Sequence, residues 1–164
     1  MKPLMSMEEF LNLSEQARRK LAEQEEKTQV KVHLGTCGIA SGASKVLEAF
    51  VREVEVRKLS DVLVLRAACI GLCGVEPVVT VIDPRNGRLI YYNLDENKVP
   101  RIVEEHLVGG KPVKEWTLDL DTPLFKLQEI RIMHNQDLDP MDIEQYIARG
   151  GYQALAKVLT EMKP

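Results

Sequence analysis

Apolar residues return at helical spacing near the start of the chain, with Phe10, Leu13, Ala17 and Leu21 on one side. Ser6-Met7-Glu8-Glu9 ahead of them has the form of a capping box, in which a hydroxyl accepts an orphan helix N–H and a carboxylate follows three residues later. The pattern predicts an amphipathic helix over residues 7–24, ending in the charged run 23–27. The period then drops to two. Val30, Val32 and Leu34 alternate with polar residues and predict a strand over 29–34. A glycine-rich turn, GTCGIASG, follows. Val46, Leu47, Phe50, Val51 and Val54 restore the helical period over 43–57, with Ser41 as the expected N-cap. Glu48 with Arg52, and Glu53 with Arg57, are spaced as ion pairs on its wet side.

The stretch 62–81, VLVLRAACIGLCGVEPVVTV, sets two apolar, β-branched runs on either side of a turn. Both runs read as buried strands. Asp83-Pro84-Arg85-Asn86-Gly87 is a hairpin turn, and 88–92 is the returning strand. Asp95 caps a helix over 96–107 with Val99, Ile102, Val103, His106 and Leu107 along one side, and Gly109-Gly110 stops it. Strand, helix, strand, hairpin and helix, with a right-handed crossover between the first two strands, is the thioredoxin-like order. The expected class is therefore α/β: a mixed four-stranded sheet with flanking helices, plus the N-terminal helix and a two-helix C-terminal tail. Pro77, opening the third strand, stands where such folds often carry a special X–Pro bond.

The tail follows Trp116 and the acidic link Asp119-Leu120-Asp121. Asp139 is the expected cap of a helix from Pro140, with Ile143, Tyr146 and Ile147 apolar. Gly150-Gly151 breaks it, and Tyr152, Leu155, Ala156 and Leu159 stripe a second helix. Two such short helices cannot bury their stripes alone; they need a partner or their own domain folded back. The expected partition is 1–28 for the first helix, 29–116 for the sheet domain and 117–164 for a helical docking segment.

Composition narrows the function. The chain has 164 residues, 45% hydrophobic and 29% charged, typical of a soluble globular protein. A net charge of −3 gives no basic footprint for nucleic acid. No apolar run reaches membrane-span length and no signal-type core opens the chain, so membrane insertion is not expected and the cytoplasm is the expected compartment. In that compartment, three cysteines point to metal binding or catalysis before a disulfide.

Those cysteines all follow apolar runs. Cys69 and Cys73 share the central turn with Gly71 and Gly74, and Cys37 lies in the glycine-rich turn ahead of a helix. Helix N-termini favour negative charge, so a thiolate is stabilised there. Two thiols in one glycine turn form half a site for a metal or an iron–sulfur cluster. A small buried cysteine also suits the Cys37 position.

The segments VHLGTCGIASGA, ACIGLCGVEPVVTVIDP and YYNLDENKVPRIVEEHLVGGKPV, covering about residues 29–114, resemble the thioredoxin-like [2Fe-2S] ferredoxins. These are small subunits or N-terminal domains of NADH-linked and electron-bifurcating hydrogenase and dehydrogenase complexes. The resemblance implies four cysteines, a C-x4-C pair after the first strand and a C-x3-C pair after the second. Here Cys69 and Cys73 supply the second pair, Cys37 supplies half of the first, and Val32 occupies the missing place. Aligning through Gly35-Thr36 makes His33 the fourth ligand, and imidazole does replace thiolate in some two-iron clusters; Ser41 is a weaker candidate.

Three states stay open: a [2Fe-2S] cluster on Cys37, Cys69, Cys73 and a fourth ligand; the same fold without its cluster; and zinc on three cysteines and His33. Taken alone, His33 also reads as a strand residue facing water. His106 and His134 read as surface residues. Backbone N–H groups of Gly38, Gly71 and Gly74 are placed to bond the sulfurs and tune a potential. No nucleophile–base pair is recognisable, and C-x3-C is not a dithiol-oxidoreductase spacing.

The tail segment DPMDIEQYIARGGYQAL is similar to the opening of the flavin-binding, NADH-oxidising subunit of the same complexes. The chain stops before that family's flavin and nicotinamide loops, as expected either of a split arrangement with the flavin on another polypeptide or of a truncated chain, and no flavin or nicotinamide site is assigned to it. The resemblance thus implies an electron-transfer subunit that works with that flavin-binding subunit and other iron–sulfur subunits. The alternative is a cluster-less docking subunit of the same assembly.

Overall fold

The structure, a computed structural model, describes residues 6–127, 129 and 135–163. The first helix, α1, spans Met7–Glu25. The extended Ser6 accepts the Glu9 N–H at 3.2 Å, as the capping box requires. β1 (Thr28–His33) follows, then a short helix α2 (Thr36–Ala40) that was not expected. α2 consumes the intended cap, since Ser41 donates its N–H to the Cys37 carbonyl at 2.9 Å. Gly42, at φ +100°, then turns the chain into α3 (Ala43–Val56); this left-handed conformation favours glycine. Arg57 bonds Glu53 as the spacing predicts, and also Glu104.

β2 (Val62–Ala67), β3 (Val79–Asp83) and β4 (Gly87–Tyr91) complete a sheet of order β2-β1-β3-β4. β1 runs parallel to β2 and antiparallel to β3, which pairs antiparallel with β4. The Glu76–Pro77 bond before β3 is cis. Asp95 accepts the N–H groups of Asn97 and Lys98. α4 itself starts later than expected, over Val99–Ile102, with Pro100 in its first turn, and continues as a π-helical segment, Val103–Val108.

Period-two alternation assigns the two faces of the sheet. Val30, Val32, Val79, Val81 and Tyr91 meet Ala43, Val46, Ala49 and Phe50 of α3 and Val99, Ile102, Val103 and Leu107 of the α4 segment in one buried core. The opposite face of β1 carries Gln29, Lys31 and His33, all buried. Its cover comes from both ends of the chain. Gln29 donates to the Gln24 carbonyl beside the end of α1, and Lys31 pairs with Asp137 at 3.3 Å.

The tail contributes α5 (Pro123–Lys126), α6 (Ile143–Ala148) and α7 (Gln153–Glu161). Asp142, not Asp139, caps α6, accepting the Glu144 N–H at 2.9 Å. Asp139 instead accepts the Met141 N–H in a turn. α6 lies against α1, with Lys20 bonded to Glu144 at 2.9 Å and Arg18 to the Ala148 carbonyl. The tail has therefore folded back on its own domain. α7 still leaves Leu155, Val158 and Leu159 exposed. Among the described residues no helix is long and apolar enough to cross a membrane. His134 lies outside the described residues.

Candidate metal centre

β1 and β2 are parallel neighbours with His33 opposite Ala67, so the chain leaves both strands at the same end of the sheet. β1 runs out through Gly35 into α2, and β2 runs out through Ala68 to Cys69. The two exits touch. A Cβ on Gly35 would lie 2.7 Å from Cys69 Cβ and 3.4 Å from its Sγ, so the approach exists because residue 35 has no side chain.

Cys37 is the second residue of α2 and is exposed; Cys69 is half-buried; Cys73 opens a 3-10 turn, Cys73–Val75, and is exposed. All three are free thiols. Gly71, at φ +82°, donates its N–H to Cys69 Sγ at 3.3 Å, one of the backbone-to-sulfur bonds the glycine spacing anticipates. Thiols on two adjoining loops at one rim are the right donor class for iron or zinc. Among the described residues, however, no group of three or more His, Cys, Asp or Glu side chains is drawn together closely enough to hold a metal ion.

His33 does not face water; it is fully buried at the end of β1. Its Nδ1 lies 2.5 Å from the Ala68 carbonyl and its Nε2 lies 2.8 Å from Thr80 Oγ1. Burial lowers its pKa and keeps the ring neutral. A carbonyl only accepts, so Nδ1 carries the proton and Nε2 accepts from the Thr80 hydroxyl. As placed, neither ring nitrogen is directed at the cysteines.

His106 corrects the surface expectation in the same way. It is fully buried because the side it shares with Val99 and Leu107 faces the core. Tyr91, its hydroxyl accepting from the Val113 N–H, donates to His106 Nδ1 at 2.9 Å. Nε2 faces the buried Asp83 carboxylate at 3.4 Å. Burial raises the Tyr91 pKa to about 12 and lowers that of His106. Burial also pushes the Asp83 carboxyl upward, but bonds from Arg85 and Asn86 outweigh it and hold the group below its ordinary value.

Glu76 was missed by sequence reasoning. It is 8% exposed beside the cis bond; Oε2 accepts the Val78 N–H at 2.7 Å, while Oε1 is buried without a hydrogen-bond partner among the described residues. Its carboxyl packs over Gly38, where a Cβ would lie 3.2 Å from Oε2. Burial raises its pKa. The available signal was a lone acid between Val75 and Pro77 within an apolar run.

No protein-family model matches the chain. Over 88 residues, 54% of this chain and 70% of the other, it is 33% identical to the NADP-reducing hydrogenase subunit HndB of Solidesulfovibrio fructosivorans. Over 71 residues, 67% of the other protein, it is 35% identical to the 2Fe-2S ferredoxin of Clostridium pasteurianum. The crystal structure of the thioredoxin-like [2Fe-2S] ferredoxin from Aquifex aeolicus superposes with a TM-score of 0.51 at 25% identity, covering 57% of this chain and 98% of that one.

Proposed function

Because the chain belongs to the thioredoxin-like [2Fe-2S] ferredoxin family, we propose that it is an electron-transfer subunit of a hydrogenase-type complex. In this reading Cys37, Cys69 and Cys73 are the protein thiolates that hold a [2Fe-2S] cluster. The observation that carries it is the meeting of the two cysteine-bearing exits from β1 and β2, with Gly35 packed on Cys69. When bound, such a cluster supplies one-electron transfer. The chain's own part is to deliver three thiolates at one rim and to stabilise sulfur charge through donors such as the Gly71 N–H. His33 joins the ligand set only if one ring nitrogen gives up its partner, Nε2 leaving Thr80 or Nδ1 leaving Ala68.

The finer reading places the subunit in a cytoplasmic NAD(P)H-linked, electron-bifurcating assembly with a flavin-binding, NADH-oxidising subunit and further iron–sulfur subunits. Residues 29–116 act as the ferredoxin unit and 117–164 as the docking segment. The exposed Leu155, Val158 and Leu159 of α7 support a docking role.

A second reading, a cluster-less scaffold of the same assembly, is favoured by the separation of the candidate donors. Anaerobic purification decides between them. The first reading expects a reddish-brown protein with about two iron and two acid-labile sulfide per chain. It also expects the chromophore to disappear in Cys69→Ser. A colourless, iron-free preparation establishes the scaffold.

A further inference from the structure

Ala68, the residue before Cys69, is gripped through the peptides on both its sides. Its carbonyl, in the peptide that leads into Cys69, meets His33 Nδ1 at 2.5 Å, and its N–H, in the preceding peptide, donates to the Leu138 carbonyl of the tail at 3.2 Å. Leu138 is itself buried. Its neighbour Asp137 is tied to Lys31 on β1 at 3.3 Å and to Arg149, just past α6, at 3.2 Å. Lys31 and His33 project from the same face of β1, two residues apart. One strip of sheet therefore carries both the anchor for the tail and the donor for the cysteine loop.

We propose that His33 and the tail around Leu138 are positioning groups for Cys69: between them they fix the two peptides that flank Ala68, and through them the direction in which the Cys69 thiol leaves β2. Residues 135–149 are then a working part of the cysteine site as well as a docking surface. Rotation about the Ala68 backbone bonds is the freedom that the two contacts restrict. With the peptides on either side of Ala68 both held, the Cα–Cβ bond of the next residue has a fixed origin. Cys37 approaches from α2 and owes its position to neither group, so it serves as an internal reference.

The proposal rests on the cysteine rim being functional but not on iron being bound, and its first test uses iron-free, reduced, full-length protein. Iodoacetamide is added under native conditions, and the alkylation rate at each cysteine is read by peptide mass spectrometry. His33→Leu removes the donor, and Asp137→Ala releases the tail. Each is expected to raise the Cys69 rate several-fold relative to Cys37, while His33→Asn, whose amide reaches the Ala68 carbonyl, restores the native ratio. An unchanged Cys69-to-Cys37 ratio in both variants overturns the proposal. So does a parallel rise at Cys37, the mark of general loosening. Should His33→Leu fail to fold, Asp137→Ala and His33→Asn decide the matter alone. In iron-loaded protein, His33→Asn is expected to keep the native EPR spectrum; its loss would make His33 a ligand and overturn the positioning role.

Discussion

Lys31 Nζ and Asp137 Oδ2 meet at 3.3 Å on the side of β1 opposite the main core, with 8% and 21% of their side chains exposed. A lysine on a buried strand face is costly unless paired. Burial pulls the Lys31 pKa down, and Asp137 acts against that shift. In the other direction, the carboxyl of Asp137 resists its own burial through Lys31 and Arg149, which leave its pKa below the ordinary value. Removing Asp137 strands Lys31, which for a pair this enclosed costs about 3–5 kcal/mol, whereas removing Lys31 leaves Asp137 with Arg149. Asp137→Ala is thus expected to lower the urea midpoint clearly, and Lys31→Met to recover part of the loss in the double variant. A double variant no more stable than Asp137→Ala would show that the lysine is not the stranded charge.

Gly35→Ala tests the contact between the two exits. Residue 35 has an ordinary φ of −69°, so a methyl group there strains only its neighbour. That neighbour is Cys69 Cβ, 2.7 Å away, and it must move. A stability loss of about 1–3 kcal/mol is expected from overpacking. Iron content is expected to fall, with far-UV circular dichroism unchanged. Full iron content in Gly35→Ala would place the thiol elsewhere.

Acid stability follows from the two buried histidines. Burial lowers both pKa values from 6.5 in the folded chain. The unfolded state therefore binds more protons just below about pH 6.5, so the histidine contribution is intact above that pH and is lost as pH falls through the folded values. Urea midpoints are expected to hold between about pH 8 and 7 and to drop below about 6.5. His106→Gln, which titrates nothing, is expected to shallow that slope. An identical slope would assign the effect to other groups.

Glu76 has the opposite sign. Its folded pKa is raised from 4.5, so burial of the neutral acid is favoured at low pH and that contribution is lost as pH rises through the folded value. Glu76→Gln keeps an acceptor for the Val78 N–H without a buried charge. A gain on the order of 1 kcal/mol is expected at neutral pH, fading below about pH 4.5. Loss of stability at neutral pH would mean that Glu76 Oε1 meets a counter-charge.

Pattern alone was enough for the order of the four strands and the longer helices, though not for the short α2 and α5. Val30, Val32 and Leu34 against Phe50 and Val54 distinguish a two-residue from a 3.6-residue period, and Asp83–Gly87 closes a hairpin by turn chemistry that acts within five residues. The Ser6 cap was legible for the same reason. Cap choice failed where several acceptors stand close together. Ser41 was spent ending α2, and Asp142 took the role expected of Asp139.

The cysteine spacing, too, is a property of the linear chain, because C-x3-C between two apolar runs fixes a turn and its two thiols. What surrounds the thiols is not, since His33, Ala68, Thr80 and Leu138 lie far apart in sequence and meet only because β1 is flanked by β2 and β3 and capped by the tail. Periodicity records which side of a strand a residue faces, and it marked Lys31 and His33 as facing away from the core. Whether water or another segment covers that side depends on long-range packing, which here folded both ends of the chain over it and turned a wet face into a buried polar one.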